Sequence, residues 1–370
     1  MLSIRPSLLA LGCVFACACT SPRHEPTPEP APSAEAVAPT RCQALRGALR
    51  QALESAPRRS PDALLAVDVE GCEPLLLSTG RSHLDVSTPF RMASVAKTFV
   101  ATLLLRAVAA RKLSLDAPLT ALLPGLPEAR GQTARTLASH TSGLFSYEKD
   151  DLFRTWQHEP PAPRSPTELL ALSRRHPRSG KPGERYHYAN TNYVLLGLAL
   201  EALSRRPLAE QISSELTGPL GLRSMHAERT DIHEPLMPSF DAEGRETTWS
   251  HHPSWLFGAG DLVTNLEDLV RWTRLWGTGS LVPDGLRGDW LRPVPTQEEG
   301  VAYGLGLFQS DLEASGGNGP ARTHAGAAAG LHLQAVYFMA KNAAVVAVVN
   351  QDGGDPDAVV LAAASVLSGR

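Results

Sequence analysis

Ser94 stands three residues before Lys97 in FRMASVAKTF, at the head of a long apolar run. Positions i and i+3 of a helix share a face, so the two side chains can touch. A helix N-terminus repels a nearby cation, and burial disfavours an ammonium further. Lys97 is thus badly placed as a structural charge. It is well placed as an amine of depressed pKa, able to take the proton of Ser94. The spacing alone is weak, since Ser is a common helix cap and Ser146–Lys149 repeats it. That second copy has Glu148 and Asp150 beside it and no apolar helix behind it, and is expected to be a solvated loop. Two more stretches could serve the same reaction. Tyr188-Ala-Asn190, the sole Y-x-N, follows a Pro/Gly loop and precedes an apolar run. A tyrosine hydroxyl can relay protons if a nearby cation lowers its pKa. An asparagine amide can donate to and accept from a substrate amide. In His324-Ala-Gly326, small residues lead into a strand. There the glycine admits close approach, and exposed N–H groups can hold an oxyanion. Lys181-Pro-Gly183 is a poorer rival: it precedes Tyr188, and Pro182 removes a donor.

The elements that must position these residues are legible in outline. Residues 41–55 are amphipathic and helical. ALLAVDVEG and PLLLSTGR read as two strands around a turn at 70–73, and STPFRMA as a short extended piece. Residues 94–112 predict a helix apolar on nearly all faces, hence central and buried. Helical stretches follow at 133–140, 166–176, 190–205, 207–216 and 265–276. LHLQAVYFMA and AAVVAVVNQDG are strands, and a final helix covers AVVLAAASVLSG. The expected fold is α+β: an antiparallel sheet flanked by helices and built from both chain ends, with an inserted, mostly helical subdomain. The boundaries are about 41–112 and 300–370 for the sheet part and 113–299 for the insertion. The chain has 370 residues and a formal net charge of −3, which gives no reason to expect a nucleic-acid partner. Only five lysines stand against thirty arginines, so a lysine at a reaction centre is notable.

Residues 1–19 are expected to be a signal peptide: one arginine, an apolar stretch too short for a comfortable membrane span, then small residues. Small residues before Cys17 and Cys19 resemble a bacterial lipoprotein signal, so either cysteine is a candidate for lipidation. Residues 20–40 are a Pro/Ala-rich tether. The folded part is therefore expected outside the cytoplasm, with the membrane met only through a lipid anchor. Cys42 and Cys72 would form a disulfide there, tying the first helix to the first hairpin. No CxxC or HxH metal spacing occurs.

Taken in order, S-x-x-K, Y-x-N and H-x-G make the chain, over about residues 55–368, resemble the penicillin-recognising serine hydrolases. That group holds the class C β-lactamases, DD-peptidases and family VIII esterases. LDAPLTALLPG, TARTLASHTSGL around His140 and Gly143, GAGDLVTNLEDLVRW and YGLGLF around Tyr303 add to it. The resemblance implies a β-lactamase/transpeptidase-like fold and a covalent acyl-enzyme, with no metal or cofactor. Ser94 would be the nucleophile, Lys97 its activating partner and Tyr188 the general base and acid. Asn190, His324, Gly326, Ala327 and Tyr303 would bind substrate, and the N–H groups of Ser94 and Ala327 would hold the oxyanion. The substrate would be a small peptide of D-Ala-D-Ala type, an ester or a β-lactam, with peptidoglycan a further candidate partner. His324 stands where many members carry lysine, and Ala325 lacks the usual hydroxyl. Both weaken the anchoring of a substrate carboxylate, so a peptidase or esterase is favoured over an efficient β-lactamase. The alternatives are a non-catalytic cell-wall-binding lipoprotein that keeps the fold, and an α/β-hydrolase, for which no G-x-S-x-G elbow exists. Specificity would rest on the loops at 145–165 and 228–256.

Overall fold

The computed structural model describes residues 40–60, 62–80, 85–228, 235–311, 315 and 317–369. The expected signal peptide, nearly all of the tether, Cys17, Cys19 and positions 229–234 of the second loop lie outside the described residues. Eleven strands are described: β1 (Ala63–Val69), β2 (Leu75–Ser78), β3 (Phe90–Arg91), β4 (His226–Ala227), β5 (Leu262–Thr264), β6 (Val294–Pro295), β7 (Val301–Tyr303), β8 (Phe308–Ser310), β9 (Ala321–Ala328), β10 (Leu331–Phe338) and β11 (Ala343–Val349). Eight form one antiparallel sheet in the order β2-β1-β11-β10-β9-β8-β7-β6. The sheet therefore draws on both chain ends. A small second sheet has the order β3-β5-β4.

The alternation of side chains explains why β1 and β11 read as unbroken apolar runs. Leu64, Ala66, Ala344, Val346 and Val348 join one core cluster. Ala63, Leu65, Val67, Ala343, Val345, Ala347 and Val349 join the cluster on the other face. Both faces are covered, so neither can be polar. The Arg41–Ser55 and Pro356–Leu367 helices cover one face, and Leu266–Thr278 covers the other. Cys42 and Cys72 form a disulfide between the first helix and the β1–β2 turn. Between β3 and β6 the regular elements described are helices and helical turns, apart from β4 and β5. Among the described residues no helix is long and apolar enough to cross a membrane.

The helix expected over 94–112 is two elements. Ala93–Ala96 is a 3₁₀ turn, and the α-helix runs from Lys97 to Ala109. The turn opens at Ala93, whose φ of 44° lies in the left-handed region and sets the entry of the chain apart from a regular helix. Every residue from Lys97 to Leu105 is buried, which fits an apolar run without a polar face. Phe99 stacks on Trp272 at 3.7 Å, and the Trp272 indole N–H donates to Thr98 Oγ1 at 2.8 Å, fixing this helix against Leu266–Thr278.

Candidate active site

The 3₁₀ turn presents Ser94 beside Lys97, whose Nζ donates to Ser94 Oγ at 2.9 Å and to the Ala259 carbonyl at 2.7 Å. Lys97 is 0% exposed. Burial lowers its pKa from 10.5 to about 7, against the opposing pull of Glu148 and Asp261. The amine is therefore substantially neutral near pH 7 and can accept a proton. Ala93 and His140 are buried residues held at positive φ, 44° and 56°. Such strain persists where the surroundings over-determine the backbone, and both lie beside the chemistry.

Tyr188 closes the trio. Its hydroxyl interacts with Ser94, and the Lys97 Nζ lies 5.2 Å from its ring centroid. Burial pushes the phenol well above its ordinary pKa, which differs from the cation-lowered phenol the sequence suggests. Burial of the phenol is the larger cause, and the Glu148 charge adds to it. Tyr188 is thus a neutral hydroxyl that can pass a proton on, and Lys97 is the stronger candidate base. Asn190 occupies the N-cap position of the Thr191–Ser204 helix without a side-chain capping bond. Its Oδ1 is buried and has no partner, so it is available to a ligand amide.

Ser146 departs from expectation. It and Tyr147 are buried rather than solvated, although Lys149 is exposed. Ser146 Oγ accepts the Asn190 N–H at 2.7 Å and donates to Glu148 at 2.6 Å. Glu148 thereby brings a carboxylate whose charge acts on both Lys97 and Tyr188. Acidic neighbours alone gave no hint of this, because the partner of Ser146 is 44 residues away.

β9 supplies the opposite wall. β8 pairs with it over Ala321, Arg322 and Thr323 and no further, so among the described residues the edge from His324 onward has no strand partner on that side. Antiparallel alternation from the turn-closing pair Ala328–Leu331 aims the Ala327 N–H at this free edge. Gly326 packs against the nucleophile turn: a Cβ there would lie 2.6 Å from the Met92 carbonyl oxygen. His324 and Tyr303, expected to touch substrate, are 1% and 0% exposed. Tyr303 Oη donates to His324 Nε2 at 3.1 Å, and His324 Nδ1 donates to the Ala325 carbonyl at 2.7 Å. Both ring nitrogens are engaged, so His324, on the same face of β9 as Gly326, braces the strand on the side of the nucleophile turn. Burial lowers its pKa to about 3 and keeps it neutral.

A model of the family described as Beta-lactamase matches residues 64–369. The chain belongs to the Beta-lactamase family. Among similar proteins, penicillin-binding protein 4 of Amycolatopsis lactamdurans is 28% identical over 247 residues, covering 61% of this chain and 62% of that one. The D-aminopeptidase of Brucella anthropi is 27% identical over 312 residues, covering 80% and 57%. The chain thus spans less than two thirds of the length of either of these relatives. A solved D-stereospecific amidohydrolase from Streptomyces sp. shares the fold with a TM-score of 0.76 at 26% identity, covering 85% of this chain and 97% of that one.

Within this Beta-lactamase-family fold, the Lys97 environment sets a pH dependence. Because the amine must be neutral to act as base, kcat/KM should rise with pH and level off, with an inflection near 7. A profile flat from about pH 5.5 to 9 would count against Lys97 as the base. Stability should move in the same sense. Native Lys97 sheds its proton near 7 while the unfolded chain holds it to about 10.5, so stability climbs across that window.

Proposed function

We propose that this protein is an extracytoplasmic serine hydrolase that forms an acyl-enzyme at Ser94 and cuts small D-amino-acid amides, peptides or esters. The observation that carries the reading is Lys97: fully buried, depressed to about 7 and 2.9 Å from Ser94 Oγ. The Ser94 proton passes to Lys97 Nζ as Oγ attacks the substrate carbonyl carbon. The oxygen gains the negative charge and is held by the N–H groups of Ser94 and Ala327. When the tetrahedral intermediate collapses, the Tyr188 hydroxyl gives its proton to the leaving nitrogen or oxygen and is reprotonated from Lys97. Water then attacks the ester, its proton passing through Tyr188 to Lys97, and Ser94 departs with that proton.

The substrate class follows from the charges around the trio. His324 is neutral and buried, and Ala325 has no hydroxyl, so these two positions offer neither a cation nor a hydroxyl to a substrate carboxylate. Glu148 adds negative charge on the other side. This disfavours efficient β-lactam turnover and suits a neutral or amine-bearing substrate. The D-aminopeptidase and D-stereospecific amidohydrolase relatives support that direction. The signal-like residues 1–19, the tether and the Cys42–Cys72 disulfide support an extracytoplasmic, lipid-anchored protein.

A panel of D-phenylalanine amide, L-phenylalanine amide, p-nitrophenyl acetate and nitrocefin tests the assignment. The expected order puts the D-amide or the ester at least about tenfold above nitrocefin in kcat/KM, a difference of about 1.4 kcal/mol in transition-state binding. Nitrocefin turned over fastest would reverse the substrate assignment while leaving the nucleophile in place.

A further inference from the structure

We propose that His140 is the positioning residue for Tyr188. The inference rests on the reading of Tyr188 as the proton relay. His140 grips the chain on both sides of that tyrosine. Its carbonyl accepts the His187 N–H at 2.7 Å, and its Nδ1 accepts the Ala189 N–H at 3.2 Å. Its ring stacks on the Tyr188 ring between them, 4.1 Å between centroids and 28° between planes. One residue thus fixes the backbone before and after the tyrosine and the face of its ring.

The grip is itself held in one state. Ser142 Oγ donates to Asn192 Oδ1 at 2.5 Å, which turns the Asn192 amide so that its Nδ2 donates to His140 Nδ1 at 3.0 Å. With two donors converging on Nδ1, the ring proton must sit on Nε2, which is buried and without a partner. Such an orphan is costly. The imidazole is fully buried, so desolvation keeps it neutral and Nδ1 an acceptor. The positive φ of 56° is what lets carbonyl and ring reach the same strand of chain. A cap or a packing residue would need neither the strain nor the orphaned N–H.

A reacting group displaced by about 1 Å can cost on the order of 100-fold in rate. The test is a double-mutant cycle with Tyr188→Phe, using p-nitrophenyl acetate as acyl donor. His140→Ala alone should lower kcat roughly 10- to 100-fold with KM changed less than about twofold. In the Tyr188→Phe background the same change should cost less than about twofold, because the hydroxyl it positions is gone. If His140→Ala fails to fold, His140→Asn replaces it. Asparagine tolerates positive φ and removes the stacked ring, and about a tenfold loss is expected. Equal losses in both backgrounds, or no loss in either folded variant, overturn the proposal. A wild-type kcat for Tyr188→Phe alone would remove the relay, and His140's role with it, while leaving the labelling of Ser94 untouched.

Discussion

Replacing Ser94 by alanine is expected to lower ester turnover by on the order of 10⁴- to 10⁶-fold while leaving the fold intact. The loss is large because the hydroxyl is the attacking atom and also the hydrogen-bond partner of Lys97. The effect on stability is small. Lys97 keeps the Ala259 carbonyl at 2.7 Å, and no cavity larger than one oxygen is made. One lost hydrogen bond is worth about 1 kcal/mol, or a few degrees in Tm for a domain of this size. Progress curves and thermal unfolding of the same preparation check both parts. More than a tenth of the wild-type rate in a folded variant contradicts the assignment.

Lys97→Arg should be nearly as damaging, with a loss of about 10³- to 10⁴-fold. The guanidinium keeps its positive charge at any working pH, so it cannot take the Ser94 proton. It also brings a larger, permanently charged group into a position that is 0% exposed, where lysine can escape by giving up its proton. Lys97→Met separates the two effects. It fills similar volume without charge, so it should fold at least as stably as the wild type yet remain inactive. A rate within about tenfold of wild type in either variant, measured from about pH 6 to 9, would show that Lys97 is not the base.

The parts of this account legible in the sequence are those whose cause is local. Ser94 and Lys97 are three residues apart, and the turn between them is enough to bring their side chains together. β1, β10 and β11 declare themselves because a run such as AAVVAVV must be buried on both faces. β4 and β6 are two residues long, and so short an element carries no period to read. The roles of Ser146 and His140 depend on partners 44 to 52 residues away, which only the fold supplies. The raised pKa of Tyr188 and the hidden position of His324 have the same origin. Residue type suggests a phenol lowered by a nearby cation and an imidazole that meets substrate. Burial decides otherwise in both cases.

The central claim is that Ser94 is acylated, and intact-protein mass spectrometry tests it most directly. The protein is exposed to a fluorophosphonate and, separately, to a fluorescent penicillin, with Ser94→Ala alongside. The account predicts one fluorophosphonate adduct per chain that maps to Ser94 and is absent from the variant. Labelling by penicillin as well would bring carboxylate-bearing ligands within reach of the site. A folded protein that takes up no fluorophosphonate, or takes it up equally with alanine at position 94, would contradict the account.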